Sequence, residues 1–264
     1  RLGGAPPADA AAAAREDYTK GYRAFKLNFV QEFRTLEPPA VVNRVLDRVA
    51  AVREAVGDEV DIGVDFHGRI SKPMAADLVR RLELYGLAFI DQPLLPEHSD
   101  GLADLAEETT VPISTGERFY SRYDFKRLFV DGSVSVIQPD VTHVGGISEL
   151  RKIASLAESF DTAVIPHCPL GPVAFAASLQ VGFCSQNVVM QEQDLDLHDP
   201  ASSERLALLE DPETFEFDGG YIERPTGPGL GIDVDEERVR ERAQAEVNWY
   251  NPVWHHEDGS IAEW

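Results

Sequence analysis

The sequence has 264 residues, 43% of them hydrophobic and 27% charged, with 46 Asp and Glu against 24 Lys and Arg for a formal net charge of −22. That apolar fraction supports a folded core, the anionic surface excludes a phosphate-binding basic stripe, and no apolar run reaches the ~20 residues that span a bilayer. Two cysteines, Cys168 and Cys184, exclude a disulfide framework and read as small buried residues, which leaves a soluble cytoplasmic protein with no nucleic-acid or membrane partner.

Taken in chain order, residues 1–7 lead into an Ala-rich helix predicted over 8–20, and Leu2-Gly3-Gly4 looks like the very end of a strand. Short apolar runs follow at 25–29, 60–66, 87–90, 111–114, 134–138, 163–166 and 188–191. Between them apolar residues fall at helical spacing, as in Val41-Val45-Leu46-Val49-Val52, Met74-Leu78-Leu82 and Ile147-Leu150-Ile153-Leu156. Apolar strands alternating with amphipathic helices predict an α/β chain, and seven such repeats predict a TIM-type β/α barrel. An open doubly wound sheet is the runner-up, but it would carry a Gly-rich turn after an early strand. The only Gly-rich stretch, 226–231, comes late and reads as a loop. The barrel is expected over 1–210, with 211–264 as an extension containing a helix over 235–249. The only lysines are Lys20, Lys26, Lys72, Lys126 and Lys152, and a carboxylate surface poor in lysine suggests a halophilic source.

In a β/α barrel the chemistry sits where strands end. Asp65, Asp91 and Glu117 fall at three successive strand ends, each 26 residues from the next. Three carboxylates converging on one volume repel one another, and a cation removes that cost; hard oxygen donors favour Mg²⁺. The next strand ends carry Asp140 and His167, 27 residues apart, the usual preparation of a general base. His67 stands two residues beyond Asp65, on the same side of the strand, and the last run ends in Gln191-Glu192-Gln193. His143 is placed in the loop that follows Asp140. His98, His198, His255 and His256 are expected as solvated loop residues.

At these positions the chain resembles the enolase superfamily, within it the D-galactonate dehydratase type. The resemblance is carried by VDFHGR (64–69), TGERFYSRYDF (115–125), IQPDVTHVGGI (137–147), PHCPLGP (166–172), QEQ (191–193), PTGPGLGI (225–232) and NPVWHHEDGSIAEW (251–264). It implies a sugar-acid (aldonate) hydro-lyase that uses Mg²⁺ and no organic cofactor. By position it implies metal ligands Asp65, Asp91 and Glu117, and His167 paired with Asp140 as the base that takes the α-proton. His67 would be the acid that protonates the leaving 3-hydroxyl, and Glu192 would hydrogen-bond the developing enediolate. Lys26, Asn28 and His143 are candidate substrate contacts. Homo-oligomers are usual for the family.

Two departures stand out. Asp91-Gln92-Pro93 replaces the family's Glu-Glu-Pro, which predicts weaker metal binding and the loss of one charge beside the site. The family's N-terminal α+β cap and most of its first barrel strand have no counterpart here, so the chain alone is expected to turn over little sugar acid. The rival readings are a non-catalytic descendant that binds acid sugars, and a racemase or epimerase. The second is disfavoured because Asn28 stands where a racemase would carry a second lysine.

Overall fold

The computed structural model describes residues 6–29, 33, 34, 36–244, 254, 255 and 258–262. The first helix, α1 (Pro7–Thr19), begins with Pro at its first position, where the missing N–H costs nothing, and continues in alanine, the strongest helix former. Ala10 and Ala14 are fully buried, and their small side chains let the next helix approach closely.

Six repeats then follow. They are β1 (Ala24–Asn28) and α2 (Pro39–Val56), β2 (Asp61–Asp65) and α3 (Lys72–Leu82), β3 (Phe89–Asp91) and α4 (Leu102–Glu107), β4 (Ile113–Thr115) and α5 (Arg122–Val130), β5 (Val136–Ile137) and α6 (Ile147–Glu158), and β6 (Ala163–Val164) and α7 (Pro172–Gly182). The strands pair in parallel in chain order from β1 to β6. The helices bury the predicted stripes, with Val41, Val45, Leu46, Val49 and Val52 of α2 and Leu78 and Leu82 of α3 all inside. Burying each such side chain is worth about 1.5–3 kcal/mol, which is why these amphipathic segments settle as helices on the sheet. Asp124 near the start of α5 accepts a hydrogen bond from the Ser121 N–H at 2.9 Å, tying down that helix end.

The sheet curls into a barrel wall. In a flat sheet β1 and β5 would lie ~19 Å apart, four strand spacings of ~4.8 Å. Lys26 Nζ on β1 instead donates to Gln138 Oε1, just beyond β5, at 3.1 Å. Register explains which side chains share the interior. Lys26 lies opposite Gly63, Asn28 opposite Asp65, Asp65 opposite Asp91, and Asp91 opposite Ser114. Because side chains alternate along a strand, each such ladder lines one face. Below the polar layer the interior is filled by Phe89, Val136 and Ile165, with Ala163 and Met190 against them. Gly63 makes room: a Cβ there would sit 2.3 Å from the Phe89 ring. The outward faces of the strands (Ile62, Val64, Ile90, Ile113, Ile137, Val164) form the larger core with the helices.

The seventh run, 188–191, is reduced to one bridge between Val188 and Val164. Beyond it, Leu206, Leu209 and Phe215 bury themselves with Cys168, Phe175 and Leu179, so this part of the tail is fastened to α7. A hairpin follows, β7 (Phe217–Asp218) with β8 (Tyr221–Ile222), then α8 (Glu236–Gln244), which buries no residue, and the pair β9 (Trp254–His255) and β10 (Ile261–Ala262). The predicted strand end at 2–4, His256 and residues 245–249 of the predicted last helix lie outside the described residues. Among the described residues no helix is long and apolar enough to cross a membrane. The reading of both cysteines as buried is corrected for one of them: Cys168 is buried, whereas Cys184, just past the end of α7, is exposed.

Candidate active site

The strand ends deliver their polar side chains to one mouth of the barrel. Asp65, Asp91 and Asp140 are at most 1% exposed, a costly position for carboxylates without partners. Lys26 answers that cost: its Nζ lies 3.0 Å from Glu192 Oε1, 3.5 Å from Asp91 Oδ2 and 3.7 Å from Asp65 Oδ2. Burial would lower the ammonium's pKa, but these carboxylates outweigh it and raise it well above the ordinary lysine value. Lys26 is therefore a charge-balancing residue of the site. Gln138, which also receives the Lys26 ammonium, is fixed in turn by donating to Ser114 Oγ at 2.8 Å.

Two imidazoles flank the carboxylates. His167 Nδ1 is 2.8 Å from Asp140 Oδ2, and its Nε2 is 3.0 Å from Glu117 Oε2. Asp140 is held on its other oxygen by the Thr142 N–H at 2.7 Å and the Thr142 hydroxyl at 2.6 Å. Burial would lower the His167 pKa, but hydrogen bonds to Asp140 and Glu117 prevail and push it up to about 10. Burial likewise opposes the opposite shift in Glu117, whose carboxyl the His167 hydrogen bond and charge hold well below the usual carboxylate range. His67 lies on the other flank, with Nδ1 3.1 Å from Asp65 Oδ1 and its own N–H donating to that same oxygen at 2.8 Å. Burial opposes protonation of His67 too, but the Asp65 bond raises its pKa. Asp91 moves upward for the opposite reason: burial and the neighbouring Asp65 charge push its carboxyl up to about 7.

The donor set fits a hard cation. Asp65 Oδ2 and Asp91 Oδ1 are buried oxygens with no hydrogen-bond partner among the described residues. Asp65, His67 and Glu117 can each bring a ligand atom within 4.8 Å of the others. A divalent ion held by such oxygens would relieve their mutual repulsion.

Against this geometry the comparisons are direct. Residues 9–238 match the family described as Enolase C-terminal domain-like. The chain belongs to that family. It is 46% identical over 263 residues to a protein named D-galactonate dehydratase from Ralstonia pickettii (strain 12J), covering all of this chain and 69% of that relative. A protein of the same name from Variovorax paradoxus (strain S110) is 44% identical over the same span. Among solved structures, a member of the enolase superfamily from Salmonella Typhimurium aligns with a TM-score of 0.81 at 28% identity, over 89% of this chain and 62% of that one. The 3,6-anhydro-D-galactonate cycloisomerase from Zobellia galactanivorans aligns with a TM-score of 0.77 at 27% identity, over 90% and 64%. The chain thus spans about three fifths of the length of these two solved proteins.

The fold gathers nearly all the sequence candidates. Asp65, His67, Asp91, Glu117, Asp140, His167, Glu192 and Lys26 are linked through the contacts above. Asn28 stands beside Asp65 in register, with its buried Oδ1 lacking a hydrogen-bond partner among the described residues. His143 is exposed, its Nδ1 2.9 Å from the Glu117 carbonyl. His198 departs from its expected place in solvent: it is half-buried, edge-on to the Tyr22 ring at 6.0 Å. Gln92 is no empty replacement for a charge, because its Oε1 accepts two hydrogen bonds from Arg118. Gln138 and Arg118 were not singled out from sequence. Gln138 carries a readable signal, since it stands just beyond β5, two residues before Asp140.

Proposed function

We propose that this chain supplies the barrel of a Mg²⁺-dependent sugar-acid dehydratase acting on D-galactonate or a related aldonate, with water removed from C2 and C3 to give a 2-keto-3-deoxy acid. One observation carries the reading: two carboxylate-anchored imidazoles, His67 and His167, reach a single group of buried acidic side chains from opposite flanks. The names of the relatives agree with it.

Asp65, Asp91 and Glu117 would hold the Mg²⁺. When bound, the ion supplies positive charge against which a substrate carboxylate can take up the electron density released at its α-carbon. Asp140 keeps a proton on His167 Nδ1, while the Glu117 contact favours a second proton on Nε2; engaging Glu117 in metal binding would remove that bias, and the neutral Nε2 then takes the α-proton. His67, with Nδ1–H directed to Asp65, presents Nε2–H to the 3-hydroxyl. The α-C–H bond breaks to His167, the C3–O bond breaks as His67 donates its proton, and the oxygen leaves as water. The enol product then tautomerises to the keto acid. Lys26 favours the ionised form of Asp91 during these steps, and Glu192 pairs with its ammonium at 3.0 Å. Positioned acid–base groups of this kind contribute typically ~10²–10⁴-fold each.

The test is to incubate the chain with a panel of aldonates and Mg²⁺ and assay 2-keto-3-deoxy acids. Slow product formation that disappears in His167→Asn is expected. No product from any aldonate, or equal product from His167→Asn, overturns the reading.

A further inference from the structure

Three features converge on the turn that carries His67. His67 itself has φ of +50° and Gln92 φ of +45°, left-handed conformations that cost a side-chain-bearing residue ~1–2 kcal/mol and persist only where the surroundings over-determine them. Gly68 follows at φ +68°, and a Cβ there would sit 2.9 Å from the Leu95 backbone and 3.0 Å from Arg118 Nη2. The turn is clasped on both sides of its backbone. Gly68 N–H donates to the Gln92 carbonyl at 2.7 Å, and the His67 carbonyl accepts from Arg118 Nη2 at 2.7 Å. Arg118 is itself aimed by the Gln92 side chain, whose Oε1 accepts from Nε at 3.0 Å and from Nη2 at 2.8 Å.

Gln92 is 1% exposed and belongs to the strand end that carries Asp91, while Arg118 follows Glu117. The clasp therefore ties the His67 turn to the next two strand ends. A lysine at 118 could not span both acceptors, because only the planar guanidinium fork presents donors in that fixed geometry.

We propose that Gln92 and Arg118 are positioning residues for His67, holding its strained turn so that Nδ1 stays on Asp65 and Nε2 faces the reacting oxygen. The inference rests on the dehydratase reading for the role of His67, but the clasp can be observed without turnover. Gln92 thereby gains a function of its own: a neutral acceptor steers the guanidinium without adding a further charge to the carboxylate floor.

The experiment uses the full chain, ¹⁵N-labelled at histidine, as wild type, Arg118→Lys, Arg118→Met, Gln92→Leu and Gln92→Glu. In the wild type, imidazole ¹H–¹⁵N spectra are expected to show His67 as an imidazolium with a protected Nδ1 proton. Arg118→Lys, Arg118→Met and Gln92→Leu are expected to lose that protection, while Gln92→Glu, which keeps an acceptor oxygen facing the guanidinium, retains it. The three disruptive variants should lower kcat ~10–100-fold with KM within about threefold, the range for residues that orient a reacting group. Combined with His67→Asn they should lower it by less than about threefold more, because both changes act through one residue. Should one variant fail to fold, the others are read. Unchanged His67 resonances in folded Arg118→Lys or Gln92→Leu overturn the positioning claim whatever the turnover. A His67 signal that responds as expected in a protein that dehydrates no aldonate sustains the clasp and overturns only the dehydratase reading.

Discussion

Replacing Lys26 with methionine keeps the bulk of the side chain and removes a cation that touches three carboxylates of the barrel floor. Its Nζ lies 3.0, 3.5 and 3.7 Å from Glu192, Asp91 and Asp65. At an effective dielectric of ~20 each such pair is worth about 4–6 kcal/mol of gross attraction, offset by the cost of drying the ions. Removing one partner of a buried pair typically costs about 3–5 kcal/mol, because the charges left behind are uncompensated. Lys26→Met in metal-free protein at pH 7 should therefore lose about 3–5 kcal/mol, read by urea unfolding. With m of about 1–3 kcal/mol/M, the midpoint falls by at least ~1 M. The loss should shrink on acidification. Asp91 titrates at about 7 in the fold against 3.8 for an unperturbed carboxyl, so charging it subtracts stability as pH rises from about 4 through 7 and costs nothing below. The Lys26 ammonium, raised above its ordinary value, stays charged throughout that window. Millimolar Mg²⁺ should return part of the lost stability by binding the folded state alone. A loss below ~1 kcal/mol at pH 7, or one equally large at pH 4, would refute the charge-balancing role.

Other consequences can be checked separately. Because the His167 pKa rises from 6.5 to about 10 on folding, its contribution is complete below pH 6.5 and is lost as pH rises through about 10. The unfolding midpoint of metal-free protein should therefore fall over that window, and His167→Asn should flatten the profile. Burial pushes the Cys168 thiol up to about 12, whereas Cys184 is exposed, so a thiol reagent at pH 8 should label one cysteine quickly and the second only in denaturant. Two equally fast thiols would contradict the burial. Phe89→Ala should cost about 3–5 kcal/mol by thermal or urea unfolding, since its ring fills the barrel interior over Gly63. A loss under ~1 kcal/mol would mean that the interior collapses to fill the space.

What the sequence made legible follows from what local residues decide. Apolar runs at 60–66 and 87–90 become β2 and β3, and the acid that ends each strand, Asp65 or Asp91, lands at the mouth because alternation and parallel register leave it no other place. The Asp140–His167 pairing was readable for the same reason. The runs also overstate strand length: β5 and β6 are two residues each, since parallel pairing ends where the loops turn outward to build the site. Hidden from sequence were interactions fixed by closure of the wall. Lys26 meets Gln138 only because β1 and β5 curl together, and Arg118 clasps the His67 turn across two strand ends. His198 lies in a loop as expected but is half-buried, with its ring edge-on to Tyr22, far away in sequence. Gln92 looked like a missing charge because its partner lies 26 residues away.

The assignment of His167 as base and His67 as acid is tested most directly by following hydrogen exchange and elimination together. An accepted aldonate is incubated with Mg²⁺ and each variant in D₂O, and both α-deuterium and 2-keto-3-deoxy acid are measured. His67→Asn should still exchange the α-hydrogen while forming product at least ~100-fold more slowly, and His167→Asn should do neither. Product formation that survives in His67→Asn, or α-exchange that survives in His167→Asn, would contradict it.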